Sequence, residues 1–296
     1  MTTAPSPVPE DYDPPVTFVR ALQTTELDRF WQEFEAVMGG PDGLMTYRYL
    51  GTHAESIDRH HATGSLRLRS DLRGPHGMLA APLVILVADV IGILDDAIAV
   101  PAPTQMSIEI FDDGAGVERV FCIGEMFHEG RSQLFSRTRI VDAADHDRVL
   151  AVGRDAGTVV APAPAGYRYV DPGPGVPDSP TLPPLWQAFG ARRSSEGRLE
   201  IPELTGRIGS TSGSLHHGPT QVVLEAAATE AAVAAAGSDA LRIRHWHVTF
   251  AARGKQGPFV ATTEVVTATA EVVVIEAELH DGERRIAVAS ATFERI

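Results

Sequence analysis

Two hydrophobic periods run along this chain, and the order in which they occur repeats. Leu27, Phe30, Trp31, Phe34, Val37 and Met38 recur at the spacing of one helix face. Thr25, with Asp28 three residues on, resembles a capping box, and Gly39 and Gly40 stop the run. MTYRYLG and ATGSLRLRS then alternate with the two-residue period and predict strands. RGPHGMLAAPLVILVADVIGILDD is apolar on every face, the signature of a buried helix. If that helix starts at Pro82, which suits a first turn, GMLAA is an extended approach to it. PTQMSIEIF, VERVFCIGEMF, SQLFSRTRIVD and RVLAVGRDAGTVV follow as strands separated by Gly and Asp turns.

From Ala161 to Pro184 the chain reads APAPAGYRYVDPGPGVPDSPTLPP, which suits neither a helix interior nor a central strand. Beyond it the first order returns. A histidine and glycine lead into the apolar stretch TQVVLEAAATEAAVAAAG, and RIRHWHVTF, FVATTEVVTA, AEVVVIEAELHD and RRIAVASATF read as four more strands. His76 and His217, and again Asp142 and Asp281, are separated by nearly equal offsets, as a duplicated unit requires. The expected organisation is an N-terminal unit with its leading helix over 1–160, a linker over 161–184 and a C-terminal unit over 185–296. In each unit a sheet wraps one apolar helix, an α+β arrangement. The two sheets are expected to join, since each alone would leave a strand edge bare, and the linker to run over the outside.

Composition narrows the function. The formal net charge of -14 repels phosphate backbones, which argues against nucleic acid and anionic membranes as partners, while leaving room for a small basic pocket. The longest apolar run, Met78 to Leu94, is too short for a membrane span and is interrupted by Asp89. One cysteine, Cys122, cannot form an internal disulfide, and the polar, proline-rich N-terminus is no signal peptide, so a cytoplasmic protein is expected.

The candidate chemistry sits at the helix starts. Gly218 lies where the chain turns into the second apolar helix, with Pro219 suited to the first helical position, so the free N–H groups of that turn face whatever binds there. Glu225 follows among Val222, Val223, Leu224 and Ala226. An unpaired carboxylate costs several kcal/mol to bury, so a helix of this composition carries one only with a use or a partner. Asp89 is its counterpart in the first helix, thirteen residues after His76 where Glu225 is eight after His217. The structural alternatives are that Glu225 meets water or an arginine between units, that Asp89 is a satisfied structural carboxylate, and that His76, His216 and His217 hydrogen-bond backbone at the helix entrances. That last role is preferred for the histidines over proton transfer. Glu230 is expected to face solvent. His245 and His247 alternate on one strand face, but no HExxH or cysteine cluster completes a metal site, so no metal is assigned. GSTSG has Thr211 where a nucleophile elbow needs serine.

The order of elements, with each helix entered through HG, resembles the hotdog fold of acyl-CoA thioesterases of the phenylacetate type, in a tandem double hotdog. The resemblance covers most of the chain after Thr63. It implies hydrolysis of an acyl-CoA thioester to a free acid and coenzyme A, with no cofactor beyond the coenzyme A of the substrate. It further implies that the glycine N–H after the histidine polarises the thioester carbonyl and that the helix acid is nucleophile or general base toward water. Carried onto this chain, these are Gly77 after His76, Gly218 after His217, and the acids Asp89 and Glu225. The family's HGG reads HGM and HGP here. In the family's dimers each site lies between protomers, so Glu225 is expected near Gly77 and Asp89 near Gly218. Arg131, Arg253 and Lys255 are candidates for the phosphates of coenzyme A, with solvated surface roles as the alternative. A homodimer of such chains is compatible with the family. Two other functions stay open. One is a non-catalytic acyl-CoA or lipid-binding protein. The other is an enoyl-CoA hydratase, whose GDxNPxH context this chain lacks.

Overall fold

The computed structural model describes Phe34, Glu35, Met38, residues 44–162, Gly166 and residues 169–296. Phe34, Glu35 and Met38 are helical, and the rest of the leading helix with its Thr25 cap lies outside the described residues. The N-terminal unit then runs α1 (Met45–Leu50), β1 (His53–Ser56), β2 (His61–Arg67), a small hairpin of β3 (Arg73–Gly74) and β4 (Gly77–Met78), α2 (Ala80–Asp95), β5 (Ala99–Ile110), β6 (Arg119–Glu129), β7 (Gln133–Asp142) and β8 (Asp145–Pro162). The C-terminal unit runs α3 (Leu185–Ala188), β9 (Arg192–Arg193), β10 (Leu199–Ile201), α4 (His217–Ala236), β11 (Leu241–Phe250), β12 (Phe259–Ala268), β13 (Val272–Asp281) and β14 (Arg284–Arg295).

All eight long strands fall where the two-residue period places them, and both long helices fall where the chain is apolar. α2 starts at Ala80, two residues before Pro82, and every residue from Ala80 to Ile91 is buried. One segment departs from the expectation. MTYRYLG is a helix, not a strand: Gly51 closes it at φ 73° with its amide on the Tyr47 carbonyl, and burial of Met45, Thr46, Tyr47 and Leu50 outweighs the strand preference of threonine and tyrosine. The Met45 amide donates to the Arg207 carbonyl at 2.8 Å, tying this short helix to the C-terminal unit.

The two sheets form one continuous sheet of 12 strands, in the order β1-β2-β6-β7-β8-β5-β11-β14-β13-β12-β10-β9. The units join where β5 pairs antiparallel with β11, from His245 opposite Glu109 to Thr249 opposite Gln105. The duplication reaches detail. The register shift at Met126/His128 between β6 and β7 recurs at Val265/Thr267 between β12 and β13, 139 residues on. α2 packs on β1, β2, β5 and β6, α4 on β12 and β13, and the two helices touch each other. Between Pro162 and Leu185 no described residue is in a helix or strand. Part of that segment lies on α1: the Val176 amide donates to the Tyr49 carbonyl at 3.2 Å, and a Cβ on Gly51 would stand 2.4 Å from the Pro174 carbonyl oxygen. Among the described residues no helix is long and apolar enough to cross a membrane.

Candidate active site

Each long helix begins beside the other unit, and the two beginnings are treated differently. At the start of α2 no side chain of its own unit caps the helix. Glu225, from α4, does so instead: its Oε1 accepts from the Ala80 amide at 2.6 Å and its Oε2 from the Ala81 amide at 2.7 Å. A carboxylate on the free N–H groups of a helix start complements both their donors and the helix dipole. Burial nevertheless dominates, raising the Glu225 pKa to about 7 against the lowering effect of the two amides. The acid thus reaches the opposite helix start, as the composite arrangement requires, but on Ala80 and Ala81 rather than Gly77. His76 lies in the β3–β4 turn and Gly77 begins β4, both outside the cavity described next.

At the start of α4 the corresponding space is open. Glu225 is the ninth residue of its helix, and the ninth residue of α2 is Ala88, which cannot reach across. A cavity of about 430 Å³ lies here, bounded by Ala88, Ile91, Gly92, Asp95 and Asp96 from α2 and the loop after it, and by Ser210–Ser212, Ser214, Leu215, His216 and His217 leading into α4. Asp155 from β8 and Tyr47 from α1 complete its polar wall, and Leu44, Met106, Pro101, Pro103 and Phe250 are part of its apolar one. Such a mixture of apolar lining and few converging polar groups is typical of a small-molecule site.

Asp95 and Asp155 are its most unusual groups. Both are buried, 5% and 8% exposed, and Asp95 Oδ1 and Asp155 Oδ2 have no hydrogen-bond partner among the described residues. Burial raises the Asp155 pKa to about 7, and burial together with the charges of Asp155 and Asp96 raises that of Asp95. Two such neighbours hold on to protons as a pair. Burial, then Asp89, raises Asp96 to about 7 as well. Asp155 reaches this position because Ala151, Gly153 and Asp155 share the inward face of β8, and Gly157 next along that face leaves room for Asp95, whose Oδ2 is 3.6 Å from where a Cβ would stand.

The histidines form the opposite wall. His216 caps its own helix, its Nδ1 accepting from the Gly218 amide at 3.3 Å and lying 3.1 Å from Thr46 Oγ1. The Gly218 amide is therefore engaged within the protein, and Gly218 is packed so closely on Thr46 that a Cβ would come 2.4 Å from its Cγ2. Because a backbone amide only donates, Nδ1 of His216 carries no proton, and a neutral ring holds its proton on Nε2. Burial drives both histidines toward the neutral form, His217 to about 3. His217 Nε2 is 2.9 Å from the Tyr47 hydroxyl.

The other candidates are dispersed. Asp89 is buried beside the cavity, with the Tyr169 hydroxyl 3.5 Å from its Oδ2 and burial raising its pKa to about 6, and it lines a smaller adjoining hollow with Asp96 and Tyr169. Arg253 is exposed at the cavity wall. Arg131, in the β6–β7 turn, and Lys255, after β11, are exposed and do not line it. Glu230 is exposed and paired with Arg193 at 2.6 Å. His247 Nε2 lies 3.2 Å from Thr249 Oγ1, and among the described residues no three His, Cys, Asp or Glu side chains are grouped to hold a metal ion. Cys122 is a buried strand residue.

Solved structures share this architecture. The tesB protein of Mycobacterium avium subspecies paratuberculosis superposes with a TM-score of 0.58 at 13% identity, over 82% of this chain and 96% of its own. The acyl-CoA thioesterase II TesB2 of Mycobacterium marinum gives 0.56 at 12% identity, over 85% and 98%. A putative thioesterase II from Thermobifida fusca gives 0.54 at 14% identity, over 83% and 97%. Residues 206–294 match the family described as acyl-CoA thioesterase N-terminal domain. The chain has the double-hotdog fold of these structures, and its residues 206–294 are similar to the acyl-CoA thioesterase N-terminal-domain family. No curated protein sequence matches it. The match of an N-terminal-domain family to the second unit of this double hotdog is what a duplicated unit allows, since either half can resemble either half of a relative.

Proposed function

We propose that this double hotdog hydrolyses acyl-CoA thioesters in the cavity between α2 and the start of α4. The observation that carries the reading is the pair of buried carboxyl groups of Asp95 and Asp155, each with one oxygen without a partner among the described residues, both lining a cavity that His216 lines from the other side. The apolar lining takes the acyl chain, and Arg253 at the wall suits a phosphate of coenzyme A. Asp155, ionised, removes a proton from water as the water oxygen adds to the thioester carbon. His216 donates to the oxygen that becomes negative. Collapse breaks the C–S bond, and the coenzyme A thiolate recovers the proton from the carboxyl, leaving a free acid. Asp95 keeps its own proton, held by burial first and then by the charges of Asp155 and Asp96. Glu225, with both oxygens on α2 amides and away from the cavity, serves as the cap of the opposite helix.

The test is thiol release from a panel of acyl-CoA substrates. Activity in the wild type is expected to rise as pH increases through about 7, where the acid pair loses a proton, and Asp155→Asn is expected to lower kcat by about 10²-fold or more. Full activity in the Asp155 variant removes the assignment. Tight acyl-CoA binding with no thiol released favours a binding protein instead.

A further inference from the structure

A chain of four side chains behind the cavity fixes where one proton sits. Trp246, on β11 and fully buried, donates its Nε1–H to Gln221 Oε1 at 3.1 Å. The indole nitrogen can only donate, so the oxygen of the Gln221 amide must face it and the NH₂ must face away. Away from Trp246 the NH₂ meets two acceptors, Met106 Sδ at 3.4 Å and His217 Nδ1 at 3.4 Å. A flipped amide would set N–H against N–H at Trp246 and oxygen against sulfur at Met106. The orientation is thus determined at both ends. Because Gln221 donates to His217 Nδ1, that nitrogen holds a lone pair, and the neutral ring carries its proton on Nε2. Nε2–H then donates to the Tyr47 oxygen 2.9 Å away. The Tyr47 hydroxyl, having accepted that bond, has its own proton left for another acceptor. Tyr47 lines the cavity.

We propose that Trp246 and Gln221 are positioning residues that lock His217 in its Nε2–H form and so make the Tyr47 hydroxyl a hydrogen-bond donor to the substrate carbonyl in the cavity. The identity of that carbonyl rests on the thioesterase reading; the proton placement does not. Tyr47 and His216 then supply two neutral donors from side chains, at a helix start whose Gly218 amide is already engaged by His216. Gln221 belongs to α4 and Tyr47 to α1, so the donor is assembled from both units.

The proton is placed directly by a long-range ¹H–¹⁵N spectrum of histidine rings in the full chain, with His217 assigned by its loss in His217→Gln. The expected pattern is protonated Nε2 and bare Nδ1. Protonated Nδ1, or exchange between the two forms, overturns the proposal whatever the protein's activity. Gln221→Glu keeps the shape of the side chain and, once ionised, offers only acceptors, so at a pH high enough to ionise it the proton is expected to move to Nδ1; an unmoved proton at that pH counts against the lock. Trp246→Phe frees the amide to turn and is expected to give a mixture, which keeps the test decisive where Gln221→Glu fails to fold. In thiol release, Tyr47→Phe and Gln221→Glu should each lower kcat on the order of 10²-fold with little change in KM. The double variant should be no slower than Tyr47→Phe alone, because Gln221 acts only through Tyr47. A further loss in the double variant overturns that route. Absence of thiol release from the wild type removes the thioesterase reading and leaves the spectrum to decide the proton's place.

Discussion

Replacing Glu225 by glutamine separates a structural carboxylate from a catalytic one. In the folded chain the group is 3% exposed and its pKa is raised from 4.5 to about 7, burial outweighing the two amide bonds. A carboxyl whose folded pKa lies above its unfolded one binds its proton more tightly when folded. Its contribution to stability is therefore full below about 4.5 and is lost as pH rises through about 7. At 1.36 kcal/mol per unit, the loss amounts to about 3 kcal/mol. Glutamine has the shape of the acid and does not ionise, but its single oxygen accepts from only one of the two amides and its NH₂ meets the N–H of the other. Glu225→Gln should therefore be less stable than the wild type at pH 4.5, by about 1–3 kcal/mol for the amide left without an acceptor, and should recover up to about 3 kcal/mol relative to the wild type by pH 8. Other buried acids titrate in the same window, but neither the burial of Glu225 nor its two amides involves them, so their contributions cancel in the difference. Urea unfolding of both proteins at the two pH values, with equal m-values, measures it. A variant destabilised by the same amount at both pH values, or more at pH 8, would refute the reasoning, since it would mean that the amides of Ala80 and Ala81 outweigh burial. Thiol release measured on the same samples should be largely retained, because Glu225 does not line the cavity.

Arg253→Ala should raise KM for acyl-CoA several-fold and leave kcat nearly unchanged, the pattern of an interaction made equally in ground and transition states; a lowered kcat with unchanged KM would place Arg253 in the chemistry. Gly51→Ala should lower Tm by at least about 2 °C, because alanine at φ 73° is strained and its Cβ would meet the Pro174 carbonyl oxygen at 2.4 Å. An unchanged Tm would show that the 173–175 segment yields without cost.

How far the site could be read from the chain depends on whether each residue's role is local. The strands and buried helices were legible because hydrophobic period is set by the backbone itself, and the repeat made each half a check on the other. Glu225 stood out as a carboxylate within an apolar helix, yet its partners lie 144 and 145 residues away and depend on how two helices meet. His216 and His217 were legible at the helix start, and the capping role preferred for them is seen in His216. Asp155 carries a usable signal: in RVLAVGRDAGTVV it shares the parity of Ala151 and Gly153, the inward face. Asp95 carried none, since an acid pair at the end of a helix resembles a solvated terminus. Tyr47 was hidden by the strand-like look of MTYRYLG, whose helical state comes from tertiary burial and the Gly51 turn.

The β5–β11 seam has a kinetic meaning for a protein of this kind. Two separate copies must find each other before a site exists between them, so dilution removes activity. With both halves on one chain, encounter is intramolecular and the site's existence is independent of protein concentration. Covalent fusion also releases the halves from symmetry. A mutation in a symmetric dimer strikes both sites at once, whereas here one helix start could be stopped by Glu225 while the other, opposite the small Ala88, stayed hollow.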